Sequence, residues 1–177
     1  MSFHKIGRVY RSWHHYDKAM ENFQQALTLF KKLGEENWII LSLESIGLVY
    51  RIRGQNDKAI ENFQQALAIA KRLGKEDQIA SSLIDIGTVY KDWGQYDKAM
   101  ENLQQALTLF KKLGKEDGTV RSLNNIGQVY RYWAKYDKAI ENYQQALAIS
   151  KRLGKEDRVA SSLLEIGDTY KSGGKYD

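Results

Sequence analysis

Three histidines are the side chains in this chain whose chemistry would best suit a metal ion or a proton-transfer step. His4, His14 and His15 all fall within the first fifteen residues. Adjacent side chains on a helix point about 100° apart, so His14 and His15 are poorly placed to bind one metal ion. No acidic residue recurs with them at metal-binding spacing, and the chain has no cysteine. The sequence therefore predicts no enzymatic activity, no metal site and no cofactor.

Pairs of neighbouring carboxylates could also do acid–base chemistry, but their positions indicate helix ends. Each pair lies just after a Leu-Gly step, and each Leu-Gly step follows two basic residues. Anions are favoured at the start of a helix and cations in its last turn. The acidic pairs are Glu35-Glu36, Glu76-Asp77, Glu116-Asp117 and Glu156-Asp157. Much of the net charge of +5 is explained in this way, so nucleic-acid binding is disfavoured.

One position is basic in every copy of a recurring segment. These residues are Arg11, Arg51, Lys91, Arg131 and Lys171. Guanidinium groups bind carboxylates through paired hydrogen bonds, so the series indicates a surface for an extended, acidic peptide. The alternative is a set of solvated charges that pair with Glu44, Asp85 or Asp92. The sequence leaves both interpretations open.

The forty-residue spacing of these cations extends over the whole chain. The segment Ile-Gly-x-Val-Tyr begins at residues 6, 46, 86 and 126, and Asp-Lys-Ala follows each copy. A fixed period of this length is typical of a solenoid, whose units contact only their neighbours. We predict a single array over residues 1–177, and we expect it to be a piece of a longer one. Its units are about 1–36, 37–76, 77–116 and 117–156, with a partial unit at 157–177.

Each unit contains the pattern of two amphipathic helices. Leu83, Ile86 and Tyr90 share one face of a helix A over about 77–93. A second run of apolar residues at three- and four-residue steps predicts a helix B over about 96–113, ended by glycine. So short a connection requires an antiparallel αα-hairpin. The predicted fold class is all-α, with about nine helices.

Several positions of this unit resemble the tetratricopeptide repeat (TPR) family. In the third unit they are Leu83, Gly87, Tyr90, Ala99, Leu103 and Ala106. The period of forty, and Lys111 in place of the usual proline, resemble the variant found in LGN/Pins-type scaffold proteins and in bacterial arrays. The resemblance implies a right-handed superhelical solenoid with the A helices on its concave surface. It also implies a protein-interaction scaffold.

Differences between the repeats indicate where a ligand would bind. The B helices are nearly identical, while the variable positions lie on helix A at steps of about four residues. Positions that pack against an identical neighbour must repeat, whereas positions that face a ligand can differ; drift of a solvated face is the alternative. The predicted peptide-binding residues are Arg8, Arg11, Glu44, Leu48, Arg51, Ile52, Ile84, Thr88, Lys91, Asp92, Arg121, Asn124, Asn125, Gln128, Arg131 and Tyr132. The TPR resemblance implies that Arg121, Asn124, Asn125 and Gln128 hold a partner peptide.

The tryptophans are assigned mainly to packing. The equivalent residues Trp13, Trp93 and Trp133 are predicted to lie in the interhelical core. Trp38 is either an anchor near the groove or a local packing residue. Tyr132 lies on the variable stripe and is the better aromatic candidate for contact with a ligand.

The predicted function is therefore a non-enzymatic scaffold that binds a protein or peptide, of acidic character, in a groove of the A helices. The alternative is a self-assembling repeat module that associates through the apolar ends of the array. The first residues lack the apolar run of a signal peptide, and no segment approaches the length of a membrane span. The expected location is the cytoplasm.

Overall fold

Helices follow one another through the chain because each apolar stripe has a helical period and most of the turns contain a glycine with left-handed backbone. The structure is a computed structural model that describes residues 3–174. Within that range there are nine α-helices and no strand. They are α1 (Phe3–Ser12), α2 (Tyr16–Leu33), α3 (Glu36–Ile52), α4 (Asn56–Arg72), α5 (Glu76–Asp92), α6 (Tyr96–Lys112), α7 (Glu116–Tyr132), α8 (Tyr136–Arg152) and α9 (Glu156–Ser172). The predicted all-α class is confirmed.

The odd-numbered helices are the A helices and the even-numbered ones are the B helices. The predicted bounds of 77–93 and 96–113 agree with α5 and α6 to within one residue. Left-handed glycines follow the B helices, as the Leu-Gly steps predict, with Gly34 at φ +69° and Gly114 at φ +63°. In two of the turns from helix A to helix B the left-handed residue is not glycine: His14 has φ +61° and Ala134 has φ +57°.

Helices that are consecutive in the chain pack together within each of two compact units. The first unit extends to Val89 and the second begins at Tyr90, so the boundary falls within α5. In the first unit α1 packs on α2, α2 on α3 and α3 on α4; in the second, α6 packs on α7, α7 on α8 and α8 on α9. The A helices also touch one another, α1 with α3 and α7 with α9. Each unit is thus a helical-repeat solenoid.

The core of each unit forms where a glycine of helix A meets an aromatic ring of the following helix B. Phe63 and Tyr143 are 1% and 0% exposed. A Cβ atom placed on Gly47 would lie 2.9 Å from Cε1 of Phe63, and one on Gly127 would lie 2.6 Å from Cε1 of Tyr143. Glycine therefore sets the distance between the two helices of a hairpin.

Ion pairs join the start of an A helix to the end of the next B helix. The carboxylate of Glu36 accepts a hydrogen bond from Arg72, and Glu116 accepts one from Arg152. Asp117 binds Lys155 at 2.6 Å, and this hydrogen bond holds the pKa of the Asp117 carboxyl below its ordinary value. Two of the cations that the sequence places in the last helical turn, Arg72 and Arg152, thus have partners within the fold.

Candidate functional site

The A helices present their polar residues on the side that is not packed against the B helices, and most of the predicted site residues are at least partly accessible there. Arg8, Ile52, Asp92, Arg121 and Tyr132 are exposed. Arg11, Glu44, Leu48, Arg51, Lys91, Asn124, Asn125, Gln128 and Arg131 are half-buried. Half-burial of these cations and amides on a helix surface costs solvation, so the groups gain from polar partners.

Two of the predicted residues are buried and do not belong to an accessible surface. Ile84 is 3% exposed and Thr88 is 8% exposed. The Thr88 hydroxyl donates to the carbonyl oxygen of Ile84 at 2.7 Å, so it is used within the helix. Both residues belong to the variable positions of helix A that recur at steps of about four residues. This spacing alone does not distinguish a buried position from an accessible one. Neither side chain is part of a surface that a ligand can reach.

The first unit contains a cavity of about 250 Å³ between α1 and α3, which we call the N-terminal cavity. It brings together four predicted residues, Arg8, Arg11, Glu44 and Leu48. The other residues that line it are His4, Leu41, Ser45, Phe63 and Asp85. Basic groups come from α1, and acidic groups come from α3 and α5.

The two arginines of the N-terminal cavity form no ion pair with a described residue, although Glu44 and Asp85 line the same cavity. Among residues 3–174, no carboxylate, carbonyl or amide binds the guanidinium group of Arg8 or Arg11. Burial lowers the pKa of the Arg11 guanidinium, and the positive charge of Arg8 lowers it further.

His4 also lines this cavity. Its side chain is 6% exposed, and its ring centroid lies 5.5 Å from that of Phe23 and 5.9 Å from that of Trp38. Its Nδ1 atom has no hydrogen-bond partner among the described residues. Burial lowers the pKa of His4, as do the charges of Arg8 and Arg11. The neutral imidazole is thus favoured.

In the second unit, by contrast, the equivalent cations are engaged in a network that we call the polar chain. Lys91 Nζ donates to Gln128 Oε1 at 2.8 Å, and Gln128 Nε2 donates to Glu165 Oε1 at 2.8 Å. Arg131 binds the other Glu165 oxygen at 3.2 Å and lies 3.8 Å from a carboxylate oxygen of Asp168. A carboxylate from the next A helix therefore lies at the cation position of the second unit.

The polar chain continues into the core through Tyr143. Its hydroxyl donates to Glu165 Oε2 at 3.2 Å. Burial raises the pKa of the Tyr143 phenol well above its ordinary value, and the Glu165 charge raises it further. On the outer side, Tyr132 is 59% exposed and has Arg131 at 5.6 Å and Lys91 at 5.9 Å from its ring centroid. Two cations thus orient an accessible aromatic ring.

The asparagines of α7 differ in how far they are used. Asn125 donates through Nδ2 to the Arg121 carbonyl oxygen at 2.9 Å, within the same helix. The Oδ1 atom of Asn124 is buried and has no hydrogen-bond partner among the described residues. Of the two amides, Asn124 is the one with an unused acceptor.

The prediction that the equivalent tryptophans lie in the core is wrong for two of them. Trp13 is 64% exposed and Trp93 is 42% exposed. Trp13 directly follows Ser12, the last residue of α1, and Trp93 directly follows Asp92, the last residue of α5. Because neither tryptophan has helical backbone, the regular angle between helical residues does not predict the direction of its side chain. Trp133 is half-buried, with its ring 6.0 Å from that of Tyr96. The Trp38 ring stacks on the Phe30 ring, with 5.3 Å between the centroids. This contact favours the interpretation of Trp38 as a local packing residue.

Sequence reasoning missed the acidic partners of Arg131. The alternative interpretation of the basic series proposed Glu44, Asp85 and Asp92 as partners; Arg131 binds Glu165 and lies near Asp168 of α9, while Glu44 and Asp85 interact elsewhere within the protein. The spacing between repeats could have predicted these partners, because Glu165 and Asp168 stand on the next A helix, 34 and 37 residues after Arg131. Asp92 does pair with its neighbour Lys91, at 3.5 Å.

Metal binding and membrane insertion find no support in residues 3–174. In that part of the chain, no three histidine or acidic side chains come together as a metal ion would require. None of the helices found there is long and apolar enough to cross a bilayer.

Comparison with known families identifies the repeat. A family model for the tetratricopeptide repeat matches residues 38–112, 94–152 and 118–177, and a second model of the same description matches residues 2–32. The chain belongs to the tetratricopeptide repeat family. Repeats of this family generally serve as interaction scaffolds rather than as enzymes. No curated protein sequence matches this TPR chain significantly.

Solved structures share the fold of this TPR array at low sequence identity. BtubC from P. vanneervenii is 22% identical with a TM-score of 0.81, and the match covers 96% of this chain and 70% of that one. The apo form of RapI is 22% identical with a TM-score of 0.84, covering 97% and 63%. A Rap protein complexed with competence and sporulation factor is 18% identical with a TM-score of 0.82, covering 96% and 51%.

Proposed function

We propose that this TPR chain is a non-enzymatic scaffold that binds an extended, acidic peptide on the polar surface of its A helices. The observation that carries the proposal is a half-buried cation at the same position of successive A helices, Arg11, Arg51, Lys91 and Arg131, of which Arg11 binds no carboxylate among the described residues while Arg131 binds one. A solvated surface charge has no need of a partner, but a desolvated guanidinium or ammonium group gains from a carboxylate. The Rap protein complexed with a factor is a protein of the same fold with a bound partner, which supports this choice.

The way in which Arg131 binds Glu165 supports the acidic character of the partner. It is an example, within this chain, of a carboxylate seated at the cation position. Exposed Tyr132 directly follows Arg131 on the same helix, where its aromatic ring can contact a peptide backbone or side chain.

A peptide array sorted by charge tests the proposal. The wild-type chain is compared with the Arg11→Glu/Arg51→Glu variant, which reverses two cations of the A-helix surface. The control is Lys31→Glu/Lys71→Glu, which makes the same change in net charge at exposed ends of B helices. We expect selective capture of acidic peptides by the wild type and the control, and its loss in the A-helix variant. Equal capture by all three proteins would contradict an acidic groove.

A second candidate function, self-assembly, is favoured by the apolar residues of α9. Leu163 and Leu164 are 51% and 71% exposed, and Tyr170 is 39% exposed. Burial of such residues against a second copy would stabilise an oligomer by the hydrophobic effect. Light scattering after size exclusion tests this candidate: Leu163→Lys/Leu164→Lys should remove any oligomer that the wild type forms. A wild type that stays monomeric over a hundredfold range of concentration would rule the candidate out.

A further inference from the structure

We propose that a pocket at the turn between α5 and α6 binds the guanidinium group of an arginine from a partner protein. We call it the turn pocket; its volume is about 410 Å³, and it lies wholly within the second unit. The residues that line it are Gly94, Gln95, Tyr96, Asp97, Lys98 and Trp133. None of them is among the predicted peptide-binding residues, so this is a second site, which does not depend on the proposed function.

The turn pocket contains a carboxylate that the protein leaves without a cation. Asp97 is exposed, and among residues 3–174 its side chain forms no hydrogen bond or ion pair. The adjacent Lys98 is directed elsewhere, because its Nζ atom lies over the ring of Tyr90, 5.4 Å from the centroid. An exposed carboxylate by itself is an ordinary solvated charge, and it is the equivalent place in the first unit that indicates a partner for this one.

The first unit shows which group binds the carboxylate at this repeat position. The helices α2 and α6 begin with the same seven residues, so Asp17 is the counterpart of Asp97. Arg53 donates from Nη2 to Oδ1 of Asp17 at 2.5 Å, and it stands 36 residues after that aspartate. Trp133 stands 36 residues after Asp97 and takes the place of the arginine. A guanidinium group from a partner would restore the pair that the first unit makes within the chain.

Two aromatic rings of the turn pocket suit the flat face of a guanidinium group. The ring centroids of Tyr96 and Trp133 lie 6.0 Å apart, and both side chains are half-buried. The Trp133 ring already attracts one cation, because Lys135 Nζ lies 3.2 Å from its centroid. Lys135 does not line the pocket, so the part of the ring that does so remains accessible to a ligand. A guanidinium group can stack on a ring and bind a carboxylate with the same plane of atoms, whereas an ammonium group cannot.

Two lysines limit how strongly the turn pocket holds a cation. Lys98 lines the pocket and Lys135 lies against Trp133, so two positive charges oppose the one negative charge of Asp97. The site is therefore weak for an isolated cation. It contributes when the arginine belongs to a partner that also contacts the protein elsewhere, because the second contact raises its effective concentration.

A capped pentapeptide with a single arginine tests the proposal on the full chain. Two counterparts carry lysine or citrulline, the neutral isostere of arginine, in its place. The measurement is a titration at low salt, followed through the indole N–H NMR signal of Trp133. We expect a saturable shift of this signal with the arginine peptide, a shift about tenfold smaller with the citrulline peptide, and affinity for the lysine peptide about threefold weaker than for the arginine peptide.

Three variants test the groups that form the site. Asp97→Asn should weaken binding of the arginine peptide about fivefold, because it removes the charge and keeps the size of the side chain. The matched control is Asp137→Asn, the same change one repeat later, where Gly173 stands in place of the tryptophan; it should stay within about twofold of the wild type. Lys135→Gln, which introduces the residue found at this position in two other repeats, should strengthen binding about twofold.

Several results would overturn the turn pocket. Equal shifts with the arginine and citrulline peptides, or no shift with either, would do so without any variant, as would tighter binding of the lysine peptide. So would equal effects of Asp97→Asn and Asp137→Asn. The proposed function is tested separately, by acidic peptides and by substitution of Arg11 and Arg51, so it can stand or fail whichever result the arginine peptide gives.

Discussion

At the scale of single residues, the glycine of each A helix determines how closely the next B helix can approach. Gly47 faces the ring of Phe63, and Gly127 faces the ring of Tyr143. Both rings are buried, so they have no room to move away from an added methyl group. Gly167 occupies the same position in α9, but no atom lies within 4 Å of a Cβ placed there. The same residue type thus has two different roles, which only its neighbours define.

We therefore expect the substitution of glycine by alanine to have different effects on the free energy of unfolding at these two equivalent positions. Gly47→Ala should lower the free energy of unfolding by about 1–3 kcal/mol, because the methyl group overpacks the contact with Phe63. Gly167→Ala should leave it unchanged or raise it by up to about 1 kcal/mol, because alanine has the higher helix propensity. Urea unfolding followed by circular dichroism measures both. A loss of equal size in the two variants would contradict the packing role of Gly47.

A second residue-scale prediction concerns alkaline pH. The pKa of Tyr143 is raised in the folded state by burial and by Glu165, whereas a tyrosine in the unfolded chain ionises near pH 10. Above about pH 10 the unfolded chain therefore loses a proton that the folded chain retains, and stability falls as pH rises. Tyr143→Phe should cost about 1 kcal/mol at neutral pH through the lost hydrogen bond to Glu165. The difference in the free energy of unfolding between the variant and the wild type should become smaller above pH 10. Urea midpoints from pH 7 to 11 measure it, and a constant difference would contradict the assignment.

At the scale of whole helices, the neighbours packed against an A helix decide how much of it is buried. In α7, which packs on both α6 and α8, Leu123 is 2% exposed. In α9, which packs on α8, the equivalent Leu163 is 51% exposed. The two helices have closely related apolar patterns, so the difference arises from packing and not from the local sequence.

The same pair of leucines gives a prediction for this scale. Leu123→Ala should cost about 2–5 kcal/mol of unfolding free energy, since it leaves a cavity in a filled core. Leu163→Ala should cost less than about 1 kcal/mol, since half of that side chain is already in contact with water. Hydrogen exchange should likewise be faster in α9 than in α7. Similar losses for the two substitutions would mean that α9 has a partner in solution, which the self-assembly candidate requires.

At the scale of the whole molecule, the balance of charge should be visible in the salt dependence of binding. The chain carries a net charge of +5, yet two of its cations at helix ends are paired within the fold. Binding of an acidic peptide should weaken steeply between about 50 and 500 mM salt, because the screening length falls from above about 10 Å to well below it. Apolar association through α9 should persist over that range. Peptide anisotropy and light scattering, each measured as a function of salt, distinguish the two candidate functions.

Much of this fold was predictable from the sequence, because its information is local and repeated. The period of forty residues, the apolar faces such as Leu83, Ile86 and Tyr90, and the glycines after the B helices all act over distances of a few residues. Helix hairpins depend on such short-range signals, so α5 and α6 were predicted to within one residue. The family could be recognised for the same reason, since its motif is a register within one unit.

The state of each polar group, by contrast, was decided by the tertiary structure. Arg11 and Arg131 stand at the same position of their repeats, but one lacks a carboxylate among the described residues while the other binds Glu165. Ile84 and Thr88 belong to the variable stripe and are buried, and Trp13 lies beyond the helix whose angle would have placed it in the core. A helical pattern states which face a residue is on. Burial and charge pairing depend on which side chain the neighbouring helix places opposite it, and that is a property of the packed helices.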